Sequence, residues 1–134
     1  MILVDAGPLV ALVDADDQFH KKCVAALKAL REPLVTVWPA VTEAMYLLGD
    51  LPKAQDALWE MLARGALHLL PLDLADVSRI RELMAKYADR PMDLADAAIV
   101  RGAEREGIRK IFTVDREDFS VYRLHGRVRP NIIP

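Results

Sequence analysis

Four acidic residues that lie far apart in the chain, Asp5, Glu43, Asp96 and Asp115, are its strongest candidates for chemistry. Asp5 and Asp115 each follow a short apolar run, at 2–4 and 110–114. If both runs are parallel strands, their carboxyl ends meet on the side of the sheet where ligands bind. Each aspartate alone is explained as well or better by helix capping, but the pair, together with the other acids, favours a site.

The other two acids are predicted to lie on helices. Glu43 is the only charge in a predicted helix from Ala40 to Leu48, which we expect to be mostly buried. A buried carboxylate is costly unless it is paired or binds a metal, although the helix dipole also favours a glutamate in the first turn. Asp93 and Asp96 share one face of a helix start. Asp93 can cap this helix, whereas four apolar residues follow Asp96 and predict that it lies beside the core.

These side chains together predict a particular kind of metal site. Clustered carboxylates raise each other's pKa unless a cation neutralises them. Oxygen ligands without His or Cys select Mg²⁺ or Mn²⁺, and Mg²⁺ keeps several of its waters. Such a cation can turn a bound water into a nucleophile and neutralise charge on a phosphate.

Three further residues are weaker candidates. The hydroxyl of Thr113 could orient a carboxylate or a metal-bound water, although strand propensity explains a threonine there equally well. Asp118 is either an accessory acid or a turn residue. Thr113 and Arg123 are candidates for substrate contact, and Arg123 belongs to a locally basic C-terminal part of the chain that could contact phosphate. A solvated surface is the default interpretation of these basic residues, which also include Arg109, Lys110, Arg127 and Arg129.

Strands and helices alternate along the chain and must position these groups. The predicted strands, at 2–4, 34–38, 68–70 and 110–114, are continuous apolar runs, as expected for a sheet covered on both faces. We therefore expect an α/β fold, a three-layer α/β/α sandwich with a mostly parallel sheet of four to five strands. A length of 134 residues fits one domain, 1–134. The tail is predicted to hold a short strand near 121–122, and 127–134 to be extended with prolines that limit pairing.

Composition limits the classes of protein to which this chain can belong. The net charge of −2 does not indicate a nucleic-acid binder. If the partner is RNA, bound cations are the obvious candidates for attracting its phosphates. The single cysteine, Cys23, excludes an internal disulfide and a cysteine-based zinc site, and we expect it to be buried. The three histidines show no ligand spacing. No apolar run reaches the roughly 20 residues of a membrane span, so we expect a cytoplasmic protein without a membrane segment.

Together these motifs resemble a known family. The motifs are residues 2–5, Glu43 in a helix after the second strand, residues 92–97, and residues 113–115 ahead of 118–119. In this order they resemble PIN-domain proteins, most closely the VapC-type toxins of bacterial and archaeal toxin–antitoxin modules. The resemblance covers essentially the whole chain. At one place the chain departs from it, because Ala6 and Gly7 follow Asp5 where many members carry a hydroxyl residue.

The resemblance implies a function, site residues and partners. It implies an endoribonuclease that hydrolyses RNA with Mg²⁺ or Mn²⁺, forms a homodimer and is inhibited by a VapB-like antitoxin whose C-terminal segment covers the acidic site. The metal-binding and catalytic acids would be Asp5, Glu43, Asp96 and Asp115. Asp93 and Asp118 would be secondary metal-binding residues.

Three other interpretations compete with this one. A haloacid-dehalogenase-like phosphatase needs a second aspartate two residues after the first, where this chain has Gly7. A response-regulator receiver needs an acceptor aspartate at the end of its third strand, but here the strand runs into Pro71. A catalytically weak PIN domain that acts as an RNA- or protein-binding module stays open.

Overall fold

A computed structural model describes all 134 residues. The strands are β1 (Ile2–Val4), β2 (Leu34–Thr36), β3 (His68–Leu69), β4 (Lys110–Phe112) and β5 (Asn131–Ile133). The helices are α1 (Ala6–Val13), α2 (His20–Ala29), α3 (Trp38–Leu47), α4 (Pro52–Ala63), α5 (Val77–Lys86), α6 (Leu94–Glu106) and α7 (Arg116–Val121), with a short 3₁₀ turn at Leu74–Asp76. None of these helices is long and apolar enough to cross a membrane.

The five strands form one sheet in the order β3-β2-β1-β4-β5, and every neighbouring pair is parallel. Side chains alternate between the two faces, so Leu3 enters one core cluster while Ile2 and Val4 enter the other. The second cluster includes buried residues of α1 to α4, and the first is built largely from α5, α6 and α7. The predicted three-layer α/β/α sandwich is confirmed.

The structure corrects the prediction for the tail. The segment near Val121 is not a strand, because α7 spans 116–121 and Phe119 and Tyr122 both point into the core from it. Residues 131–133 do pair, with β4, although prolines flank them. An edge strand bonds on one side only, so three residues between Pro130 and Pro134 are enough to form it.

The helix that carries Glu43 is less buried than predicted. It begins at Trp38, which the sequence pattern assigned to the preceding strand, and it ends at Leu47. Trp38 is 50% exposed, Tyr46 82% and Leu47 58%. An apolar composition all round a helix predicts burial, but one face of α3 has no other part of the chain packed against it.

Candidate metal centre

Asp5 and Thr113 lie side by side because β1 and β4 are neighbours in register. Val4 pairs with Phe112, so the next residue of each strand follows at the same edge of the sheet. Thr113 is fully buried, and its hydroxyl donates a 2.9 Å hydrogen bond to Oδ2 of Asp5. Thr113 therefore orients a carboxylate. Its side chain has no exposed surface, and the substrate contact expected of it stays a prediction.

Asp96 projects from the first turn of α6. The side chain of Asp93 accepts a 2.8 Å hydrogen bond from the backbone N–H of Asp96, so Asp93 caps the helix as predicted. The Asp96 carboxylate is partly buried, and its Oδ2 accepts a 2.8 Å hydrogen bond from the hydroxyl of Tyr122. The capped helix start thus presents two acids, of which Asp93 is exposed.

Asp115 and Asp118 belong to the first turn of α7. The backbone N–H of Asp115 donates to the Thr113 hydroxyl at 3.0 Å, and its side chain accepts from the N–H of Asp118 at 3.1 Å. Asp118 itself forms a 2.6 Å ion pair with Arg90. This ion pair gives Asp118 a structural contact that the sequence pattern did not predict.

Glu43 enters the site from the opposite layer. It is partly buried on α3 and lines a groove of about 550 Å³ between this helix and the start of α6, together with Asp93. Trp38, Tyr46 and Leu94 form the outer wall of the groove. The groove therefore connects an aromatic surface with Glu43 and Asp93.

Burial and neighbouring negative charges raise the pKa values of four of these acids. Burial raises the pKa of Asp5 to about 6, and the charges of Asp93 and Asp115 add to the effect. Burial followed by the charge of Asp5 raises the pKa of Asp96 to about 7. The pKa values of Glu43 and Asp115 are also raised, in both cases first by burial. For Glu43, the charges of Asp93, Asp5 and Asp115 then contribute.

The carboxylate oxygens of these acids differ in how well they are placed to bind a divalent cation. No group of three or more His, Cys, Asp or Glu side chains is already arranged to hold a metal ion. However, Oδ1 of Asp5 is buried and accepts no hydrogen bond of normal geometry, although the backbone N–H of Ala6 lies near this carboxylate and lowers its pKa. Such an orphaned oxygen is costly unless something binds it. A hard cation that takes one or two carboxylates and keeps its waters fits this arrangement. The residues present therefore fit a hydrated Mg²⁺-like ion better than a closed protein cage.

Arg123 has a structural role at the end of α7, and its phosphate contact stays a prediction. Its Nη1 donates to the carbonyl oxygens of Ser120, Val121 and Tyr122, so the guanidinium closes the end of α7. Tyr122 and Arg90 are the two site residues that the sequence interpretation missed. The 119 and 122 spacing of two aromatics after a capping aspartate indicates that both face the core, but it does not indicate the contact of Tyr122 with Asp96.

Comparisons with known proteins agree on the family. The sequence model described as "PIN domain" matches residues 2–124. The chain is 31% identical over 135 aligned residues to Ribonuclease VapC26 of Mycobacterium tuberculosis (strain ATCC 25618 / H37Rv), and the alignment covers 99% of this chain and 100% of the relative.

A solved structure shows the same fold. The crystal structure of VapC20 of Mycobacterium tuberculosis, described as a Sarcin-Ricin loop cleaving toxin, superimposes with a TM-score of 0.78 at 18% identity. The match covers 87% of this chain and 92% of VapC20. At this identity the likeness concerns the fold alone. On the match to the PIN-domain model and the full-length relative, this chain belongs to the PIN-domain family.

Proposed function

We propose that this protein is a divalent-cation-dependent endoribonuclease and the toxin of a type II toxin–antitoxin module, with residues 1–134 as one PIN domain. A full-length relative named as a ribonuclease supports the activity. The observation that carries the proposal is the pair of partly or fully buried carboxylates, Asp5 and Asp96. They come from different elements, each is held by a neutral hydroxyl, and the charge of Asp5 raises the pKa of Asp96.

In this proposal Asp5 and Asp96 hold the cation, assisted by Asp115 and Glu43, and Asp93 shapes the site as a cap. Mg²⁺ or Mn²⁺, when bound, lowers the pKa of a water and neutralises charge on the phosphate. Thr113 fixes the orientation of the buried Asp5 carboxylate. Glu43 lines the groove that RNA would enter, and its raised pKa suits a carboxylate that takes up a proton from the attacking water.

The test is cleavage of RNA by the purified protein with Mg²⁺ or Mn²⁺. We expect EDTA to abolish cleavage, and Asp5→Asn and Asp96→Asn to lose activity while both variants stay folded. Asp56→Asn, which changes an exposed acid on α4, serves as the matched control and should stay active. Cleavage that survives EDTA and both site substitutions would reject the mechanism. Binding of RNA without any cleavage would instead favour a non-catalytic binding module.

The toxin role is tested in cells. Expression of the protein without a partner should arrest growth in the cytoplasm of a bacterial host, and Asp96→Asn should relieve the arrest. Co-expression of a VapB-like antitoxin, whose gene we expect beside that of the toxin, should also restore growth. Harmless expression of folded, metal-binding protein contradicts the toxin role but leaves the nuclease activity open.

A homodimer is the third part of the proposal. Exposed apolar side chains cover neighbouring parts of α3 and α4 and the loop between them, namely Trp38, Tyr46, Leu47, Leu51 and Trp59. The rings of Trp38 and Trp59 lie 6.2 Å apart. An exposed apolar patch of this kind is typical of a protein interface.

The dimer is tested by mass in solution. Light scattering should give twice the mass of the 15.0 kDa chain, and Tyr46→Glu should halve it. Leu74→Glu is the matched control, because Leu74 is 88% exposed but lies in the 3₁₀ turn before α5, outside the patch. A monomeric wild-type protein, or a dimer that Tyr46→Glu leaves intact, contradicts this interface.

A further inference from the structure

Tyr122 is a core side chain whose polar end reaches the acidic site. The residue lies directly after α7 and has no exposed surface. Its ring packs edge-on against Tyr87 and Phe119, with centroid distances of 5.0 and 5.1 Å. Its hydroxyl donates the 2.8 Å hydrogen bond to Oδ2 of Asp96. The aromatic cluster therefore fixes the position from which the hydroxyl holds the carboxylate.

The type of donor matters as much as its position. Both Asp96 and Asp5 receive their side-chain hydrogen bond from a neutral hydroxyl, of Tyr122 and Thr113 respectively. A lysine or arginine at either place would pair with the carboxylate and compete with a cation. In both acids the hydroxyl binds Oδ2, and Oδ1 accepts no side-chain hydrogen bond. Each carboxylate is thus oriented while one oxygen stays free.

The helix before Tyr122 links this contact to a third acid. Asp115 caps the start of α7, and Tyr122 follows the end of the same helix. The ion pair between Asp118 and Arg90 ties α7 to the loop before α6, and the first turn of α6 carries Asp96. The placement of α7 therefore sets both Asp115 and the hydroxyl that holds Asp96.

We infer that Tyr122 is a positioning residue of the metal centre: its hydroxyl fixes the Asp96 carboxylate so that Oδ1 is free to bind the cation. The inference rests on the proposed function, in which Asp96 is a metal ligand. Groups that orient metal ligands in this way typically change metal affinity by about 10–100-fold when they are removed.

The test is calorimetric titration of Mn²⁺ into the wild-type protein and two variants without RNA. Tyr122→Phe keeps the ring and removes the hydroxyl, and we expect it to weaken Mn²⁺ binding by about 10-fold. Tyr87→Phe is the matched control. It removes a hydroxyl from the same aromatic cluster, but that hydroxyl accepts only from the backbone N–H of Arg123. We expect Tyr87→Phe to bind Mn²⁺ as the wild type does.

Rescue separates positioning from stability. Replacing Tyr122 by 4-aminophenylalanine restores an N–H donor on the same ring and should recover most of the lost affinity, whatever its effect on the melting temperature. Equal Mn²⁺ affinity of wild type and Tyr122→Phe overturns the positioning role and leaves the metal centre standing. Equal weakening by Tyr122→Phe and Tyr87→Phe also overturns it, because disturbance of the aromatic cluster then explains both. A wild-type protein that binds no Mn²⁺ overturns the metal centre and the positioning role together.

Discussion

Asp96→Asn should stabilise the metal-free protein at high pH, although it removes a residue of the proposed site. Burial and then the Asp5 charge raise the pKa of Asp96 from 3.8 to about 7 in the folded state. The folded protein thus binds this proton more tightly than the unfolded chain does. Stability is lost as the pH rises above 3.8, and the loss is complete above about pH 7.

The pKa difference sets the size of the effect. About three pH units correspond to an upper limit of about 4 kcal/mol at pH 8. Asp96 is partly exposed, and screening by water reduces this figure to about 2 kcal/mol. Asparagine keeps an oxygen acceptor for the Tyr122 hydroxyl and carries no charge. The gain should therefore be about 2 kcal/mol at pH 8 and less than half of that at pH 5.

Urea unfolding in EDTA at pH 5 and pH 8 measures this gain. Addition of Mn²⁺ at pH 8 should stabilise the wild type and leave Asp96→Asn nearly unchanged, since a ligand stabilises only the state that binds it. Asp56→Asn again serves as control and should show no comparable gain at either pH. A destabilised Asp96→Asn at pH 8, or a gain that is the same at both pH values, refutes the reasoning about a strained acidic site.

Three further substitutions test other parts of the structure. Thr113→Val keeps the shape of a buried side chain but frees Asp5 to rotate, so RNA cleavage should fall by about 10–100-fold; unchanged cleavage rejects the orienting role. Gly7→Ala places a Cβ 2.5 Å from a methyl group of Val114, and chemical unfolding should show a loss of about 1–3 kcal/mol. Asp76→Ala removes the shared partner of two arginines at 2.7 Å, and we expect a loss of about 3–5 kcal/mol in the same assay, whereas a loss below 1 kcal/mol contradicts the importance of this buried network.

Much of the fold could be predicted from the sequence because its signals are local. Continuous apolar runs predicted four parallel strands, and the cap at Asp93 with Gly107 at the other end bounded α6. The tail was misjudged because its pairing depends on β4, which is distant in sequence. The exposure of α3 could not be predicted either, since composition does not show which face of an apolar helix has a neighbour.

The surroundings of the predicted acids could not be predicted from the sequence and required the structure. The register of β1 and β4 could be guessed only as a shared side of the sheet, whereas the hydrogen bond from Thr113 to Asp5 depends on their being neighbours. Tyr122 reaches Asp96 across 26 positions of sequence, which no spacing rule connects. The family resemblance was confirmed by the comparisons, and the metal-binding roles of the acids stay a prediction.

Diffraction from crystals soaked in Mn²⁺, recorded for its anomalous signal, is the most direct measurement on the acidic site. We expect an anomalous peak at ligand distance from the orphaned Oδ1 of Asp5, with Asp96 as a direct or water-bridged partner, and no peak there in Asp5→Asn. A fully active protein whose Mn²⁺ binds elsewhere in the crystal, with no metal at Oδ1 of Asp5, contradicts the account.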